Sequence, residues 1–312
     1  MFALSRLVDG PSSIHDGVVL DRPIAAFDIE TIPDPDLGRR LLGLEGSDRD
    51  VVHEMVRRRL EETEGASEYP QLPWQRVVCV CATVLDPESG QVQIRALGGD
   101  AMDERSHVEG FFRMVSAERA PRLVSWNGGG FDLPVLRYRA MMLGVAAPDF
   151  YRADGERRWN NYQNRYHDLH TDVMDALSSF GASMRIGLDT LGKVLGLPGK
   201  AFLDRAIYDH VLDGEAARVI EYCKLDTVET LLVFLVWAFH TGQLTESELR
   251  RAVGGVQTTI GELPYEGWRD IETQLEAWPA WAQGITTAQA GRQLDERANA
   301  SAQRASGQHR HR

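Results

Sequence analysis

Asp28 and Glu30 lie two apart in residues 24–32 (IAAFDIETI), a stretch that reads as a buried strand running into a polar end. On a strand that spacing puts both carboxylates on one face and Phe27 and Ile29 on the other. Two carboxylates side by side at the end of a buried strand are costly without a cation between them, and hard divalent ions favour such oxygens. An acidic strand end that simply surfaces would look the same locally. Asp132 follows Asn127-Gly128-Gly129-Gly130-Phe131 and precedes Leu133-Pro134. Alone, it fits a helix N-cap. The three glycines ahead of it permit positive φ and close approach of a ligand to the backbone, which Asn127 would reach with its amide. Tyr222 and Asp226 are four apart in a helical stretch and share a face. A solvated acid beside a half-buried tyrosine is their plain alternative. Single residues decide nothing here; the set points to divalent metal.

Those side chains need elements to hold them. Pro33 and Pro35 stop the first strand, and residues 48–64 have helical spacing of Val51, Val52, Met55, Val56 and Leu60. Residues 76–85 and 91–97 are β-rich runs around Pro87 and Ser89-Gly90, which suggests a hairpin with a longer loop. A helix over about 104–118, a strand at 122–126 and a helix from Asp132 to about Leu143 follow. Residues 149–166 are polar, aromatic and aperiodic, and are expected to be a long surface loop. A short strand near 167–170 precedes helices at about 172–180, 188–195 and 214–240, with Leu197-Pro198-Gly199 as punctuation. Strands alternating with helices indicate an α/β domain with a mixed sheet. Residues 285–312 hold almost no large apolar residues and are expected to be disordered.

The bulk numbers narrow the function classes. With 312 residues and ordinary apolar and charged fractions, the chain can bury a sizeable core. No apolar run approaches the ~20 residues of a membrane span, and residues 1–17 lack a signal-peptide pattern. Three cysteines argue against a disulfide framework and for a reducing compartment, so a cytoplasmic location is expected. Cys79 and Cys81 suit core packing; a zinc site built on them lacks a second cysteine pair. A net charge of −12 counts against gripping nucleic acid along a long tract, though not against engaging a strand end.

FDIET, WNGGGFDLPVL and YCKLD occur in the order and character of the three exonuclease motifs of the DEDD superfamily. The chain resembles its tyrosine branch, and within it the proofreading exonuclease domain of family B DNA polymerases and the bacterial stand-alone predicted exonucleases related to it. The likeness extends through HDLHTDVMDAL, LDTLGKVLGLPGK and LDTVETLLVFL, over roughly residues 24–250. The histidine branch would place its base at position 221, which is Glu here, whereas Tyr222 stands four before Asp226. The resemblance implies a ribonuclease H-like α/β fold and two divalent ions, Mg2+ or Mn2+. Asp28, Glu30 and Asp226 would bind the first ion, Asp28 would bridge to the second, and Asp132 would hold that second ion through water. Both ions, ~3.5–4 Å apart, would stabilise the attacking and leaving oxygens of an in-line displacement. A phenol with reference pKa near ~10 is a poor base at neutral pH, so Tyr222 would orient the attacking water.

The implied partner is the 3′ end of a single strand, with DNA favoured over RNA and a protein partner in replication or repair. Phe131 would stack on the terminal base or pack in the core. Thr31 and Ile32, which follow the acidic pair, are further candidate substrate contacts. Arg152, Arg157, Arg158 and Arg165 alternate with aromatics in the 149–166 loop, a mixture that suits single strands as well as an ordinary solvated surface. Arg57, Arg58 and Arg59 among glutamates look like a solvated helix face. Asp172 suits a helix cap, Asp168 a support for the sheet edge or the metals, and His167 and His170 structural roles. A catalytically silent nucleic-acid-binding module and hydrolysis of a small phosphate ester are the competing functions. Residues 1–23 would be an extension and 251–284 a Trp-rich helical segment.

Overall fold

The computed structural model of the protein describes residues 20–197, 203–263, 268–276 and 278. Its centre is a five-stranded sheet in the order β3-β2-β1-β4-β5, formed by β1 (Ile24–Pro33), β2 (Gln75–Leu85), β3 (Val92–Ala96), β4 (Arg122–Ser125) and β5 (His170–Asp172). β1 pairs antiparallel with β2 and parallel with β4, so the sheet is mixed. The expectation of an α/β domain with a mixed sheet flanked by helices holds.

Strand alternation divides β1 between two cores. Ala25, Phe27 and Ile29 face a cluster built with Phe111 and Leu136 from α3 (Glu104–Val115) and α4 (Asp132–Leu143). Ile24, Ala26 and Ile32 face the side covered by α8 (Ala216–His240). Behind α8 lie α9 (Glu246–Gly261) and α10 (Trp268–Leu275), whose Trp268 is buried in the same core. The division expected at residue 250 therefore falls inside a helix that packs on α8 and β3. Trp268 donates its indole N–H to Glu221 of α8 at 3.1 Å, and Trp278 donates to the Leu195 carbonyl at 2.7 Å. Trp268 and Trp278 thus pack back on the domain. Residues 285–312 lie outside the described residues.

Two helices escape the periodicity. β1 ends at Pro33 as expected, and Pro35 also opens α1 (Pro35–Leu42), which Asp34 caps by accepting from the Asp36 and Leu37 N–H groups at 3.0 and 3.3 Å. α7 (Ile207–Leu212) is too short to show a period. The stretch 149–166 is not simply surface: Phe150 and Tyr162 are buried and stack at 5.7 Å, and the Tyr162 hydroxyl donates to the Pro121 carbonyl. His167 sits in a turn, where its Nδ1 accepts the Asn161 N–H and its Nε2 shares a hydrogen bond with the Asn164 side-chain amide, while His170 is on the strand. Among the described residues no helix is long and apolar enough to cross a membrane.

Candidate active site

The register of β1 on β2 sets the floor of the site. Asp28 pairs with Cys81 and Glu30 with Cys79, after which the register slips between Glu30 and Thr31. A bulge there twists the strand end and re-aims its side chains. Asp28 and Glu30 are half-buried and line a cleft of about 750 Å³, where the alternation expected from sequence places them.

Asp132 comes to the same place by a long route. It is not the cap of α4; Phe131 holds that position and Asp132 is the first helical residue. Its carboxylate instead accepts the Ile29 N–H at 3.2 Å, from the residue between Asp28 and Glu30. That contact spans 103 residues of chain and leaves Asp132 only 4% exposed. α4 is fixed from its other end by Arg139, nearly buried, which holds Glu104 through Nε and Nη2 at 2.6 Å each and Asp34 at 2.8 Å. Bidentate pairing of this kind fixes direction as well as distance.

The glycine turn works differently from the expectation. The positive φ belongs to Asn127, at 64°, while Gly128, Gly129 and Gly130 are needed for space. A Cβ at Gly128 would meet the Ser125 side chain at 2.4 Å, and one at Gly130 the Asn127 Oδ1 at 2.8 Å. Asp172 braces this turn. It accepts from the Asn127 and Gly129 N–H groups at 3.0 and 2.9 Å, besides capping α5 (Val173–Leu177) through the Asp175 N–H. Burial pushes its carboxyl above the usual range. Sequence reading found the cap and missed the brace, because the bonded amides are more than 40 residues away. His170 is buried beneath, sharing a hydrogen bond of 2.8 Å with the Ser125 hydroxyl, and burial lowers its pKa to about 4.

α8 closes the site from above. Tyr222 lines the cleft, and Asp226, one turn on, is 2% exposed beneath it. Cys223 lies between them on the helix, with its thiol 3.5 Å from the Asp28 carbonyl oxygen and 3.8 Å from Asp28 Oδ2. Cys79, Cys81 and Cys223 are all buried, and burial pushes the thiols of Cys81 and Cys223 up. The third cysteine, distant in sequence, completes a cluster that Cys79 and Cys81 could not make alone.

Of the expected substrate contacts, Asn127 and Phe131 line the cleft. The Phe131 ring meets Tyr69 edge-on at 5.9 Å. Thr31 also lines it, though its hydroxyl donates to Gln75 Oε1 at 3.1 Å. Ile32 is a correction: it is 0% exposed, packed in the cluster of Val78, Cys79, Val219 and Ile220, so its side chain cannot touch a substrate. Asp168 is exposed and does not line the cleft. Sequence reading missed the far wall, formed by Arg59, Glu68, Tyr69 and Pro70. Arg59 is therefore more than a solvated charge: it donates to the Tyr69 carbonyl at 2.9 Å and ties the wall to α2 (Asp48–Glu62).

The donors suit a hard divalent ion. Asp28, Glu30 and Asp132 offer carboxylate oxygens to the cleft from β1 and α4, while Asp226 of α8 is buried and does not line it. A family model described as a predicted 3′–5′ exonuclease related to the exonuclease domain of PolB matches residues 67–278. That span holds Asp132, Tyr222 and Asp226 and begins after Asp28 and Glu30. A search of curated proteins finds none that matches the chain. Among solved structures, the family B DNA polymerase from the hyperthermophilic archaeon Pyrobaculum calidifontis is similar over 77% of this chain, at 18% identity and a TM-score of 0.41. The matched part is 29% of that polymerase, so the chain spans less than a third of its length.

Proposed function

Because the chain belongs to the family of predicted 3′–5′ exonucleases related to the exonuclease domain of PolB, we propose that it shortens single-stranded nucleic acid from the 3′ end. The products are nucleoside 5′-monophosphates, DNA is preferred to RNA, and two ions, Mg2+ or Mn2+, are required. The observation that carries this reading is the Asp132 bond to the Ile29 N–H, which draws a carboxylate from the glycine turn against the Asp28–Glu30 pair.

Asp28, Glu30 and Asp226 would hold one ion, and Asp28 and Asp132 the second. When bound, the ions supply an activated water and neutralise charge on the attacking and leaving oxygens. The chain's own groups do the rest. Tyr222 projects into the cleft, and its phenol donates a hydrogen bond that orients the attacking water. Phe131 and Tyr69 offer ring surface to the terminal base, which stacks without regard to sequence. Asn127 presents its amide to the strand end. An acidic chain without a long basic tract suits one strand end better than a duplex.

The test is digestion of 5′-labelled single-stranded DNA and RNA with Mg2+ or Mn2+, beside Asp28→Ala. A ladder shortening from the 3′ end, absent in the variant and in chelator, is expected. No shortening of either polymer with any metal overturns the reading.

A further inference from the structure

The carboxylate pair has a soft neighbour. On the α8 side of the sheet, Asp28 stands opposite Cys81 and Glu30 opposite Cys79. Cross-strand partners project to the same side, so two thiols run beside two carboxylates. α8 lays Cys223 over both columns. The three sulfur atoms lie within 4.8 Å of one another, and the Cys223 sulfur also lies within 4.8 Å of oxygens of Asp28 and Glu30.

We propose that Cys79, Cys81 and Cys223 form a site for one thiophilic divalent cation, Zn2+ or Cd2+, whose open fourth position draws in Asp28 from beside Cys223 and away from the acidic pair. Bonds of ~2.3 Å to a tetrahedral zinc put sulfur atoms roughly 3.8 Å apart. The cluster reaches that by closing about 1 Å or less, a side-chain adjustment. Asp28 Oδ2 is already 3.8 Å from the Cys223 sulfur, against roughly 3.5 Å for two ligands of different length on one zinc. Three sulfurs select against Mg2+ and Mn2+, which keep to oxygen. The way in is the cleft: Asp28 and Glu30 line it, the Cys223 sulfur lies within 4.8 Å of their oxygens, and Cys79 and Cys81 lie within the same distance of Cys223.

The chemistry is exchange of protons for metal. Each thiol releases its proton to water as its sulfur binds, no electrons move, and affinity rises with pH. Lys224, beside Cys223 on α8, supplies a positive charge that acts on Cys81 and offsets part of the resulting negative charge. A cation held there competes for Asp28, so zinc inhibits where manganese supports hydrolysis. The inhibition rests on the exonuclease reading; the binding does not.

Reduced full-length protein titrated with Cd2+ is expected to show a thiolate-to-cadmium charge-transfer band that saturates at one ion per chain. The band is absent in Cys79→Ala/Cys81→Ala. His309 and His311 can bind metal without giving that band, so they do not mimic it. If the double variant does not fold, Cys79→Ala alone serves and is expected to lose about a third of the band. In parallel, one equivalent of Zn2+ is expected to slow Mn2+-supported hydrolysis about tenfold or more, and the double variant to resist it. Folded wild-type protein without the band, or a variant that keeps all of it, overturns the site. A band in protein that digests nothing sinks the exonuclease reading and leaves the site standing; digestion without a band does the reverse.

Discussion

The two halves of α8 are one helix built to opposite rules. Its stretch before residue 231 buries polar groups among apolar ones: Cys223, Asp226, Thr227, Glu229 and Thr230 are buried beside Val219, Ile220, Leu225 and Val228. Its C-terminal half, residues 231–238 (LLVFLVWA), buries Leu231, Leu232, Val233, Phe234, Leu235 and Ala238. Each large apolar side chain fully buried stabilises by about 1.5–3 kcal/mol, whereas a buried acid generally costs free energy. The apolar half is thus the anchor, and rigid continuity of the helix carries the acid to its place. Small contacts then set the position: the Thr227 and Thr83 hydroxyls bond at 2.7 Å, joining α8 to β2. Precision at the site and stability of the fold reside in different turns of the same element.

Exchanging the two kinds of residue tests that division most severely. Asp226→Ala is expected to cut hydrolysis by about a thousandfold or more while leaving the thermal midpoint unchanged or higher. Phe234→Ala, which empties the space beneath the Arg122 guanidinium 5.0 Å away, is expected to cost about 3–5 kcal/mol of stability in denaturant melts. Its residual folded fraction should retain activity. Equal destabilisation by both would break the comparison.

Acid separates the halves more gently. His170, bonded under the glycine turn, has its pKa lowered to about 4 by burial, whereas an unfolded histidine titrates near ~6.5. Between those values the unfolded chain binds the extra proton. Its contribution is therefore whole above pH ~6.5 and lost as pH falls toward 4, about 3 kcal/mol in all. Residues 231–238 contain no group that titrates in this range. Phe234→Ala should therefore lower the whole stability-against-pH curve with its slope intact, while His170→Gln should flatten it. The smallest effect belongs to Tyr222→Phe. A rate loss of about tenfold is expected with an unchanged manganese midpoint. A shifted midpoint would make Tyr222 part of the metal site instead.

What was legible in the sequence is local. Alternation put Asp28 and Glu30 on one face; residues 214–240 read as a long helix with Tyr222 and Asp226 together; motif order pointed to the family. Residues 35–42 and 207–212 were silent, since short helices carry little periodicity. The 149–166 loop misled because its polar residues outnumber Phe150 and Tyr162, the two that decide where it lies.

Contacts across distant segments needed the fold. Asp132 looks like a cap until β1 offers the Ile29 N–H. Gly128 and Gly130 look like conformational hinges until neighbouring side chains fill the space a Cβ would take. Asp172 acts on a turn two elements back. Cys223 joins Cys79 and Cys81 only because α8 crosses β2 at that height. Period and motif belong to one stretch of chain and survive in a string of letters. The partner of a carboxylate or a thiol is set by how helices pack on the sheet, and that depends on the whole core at once.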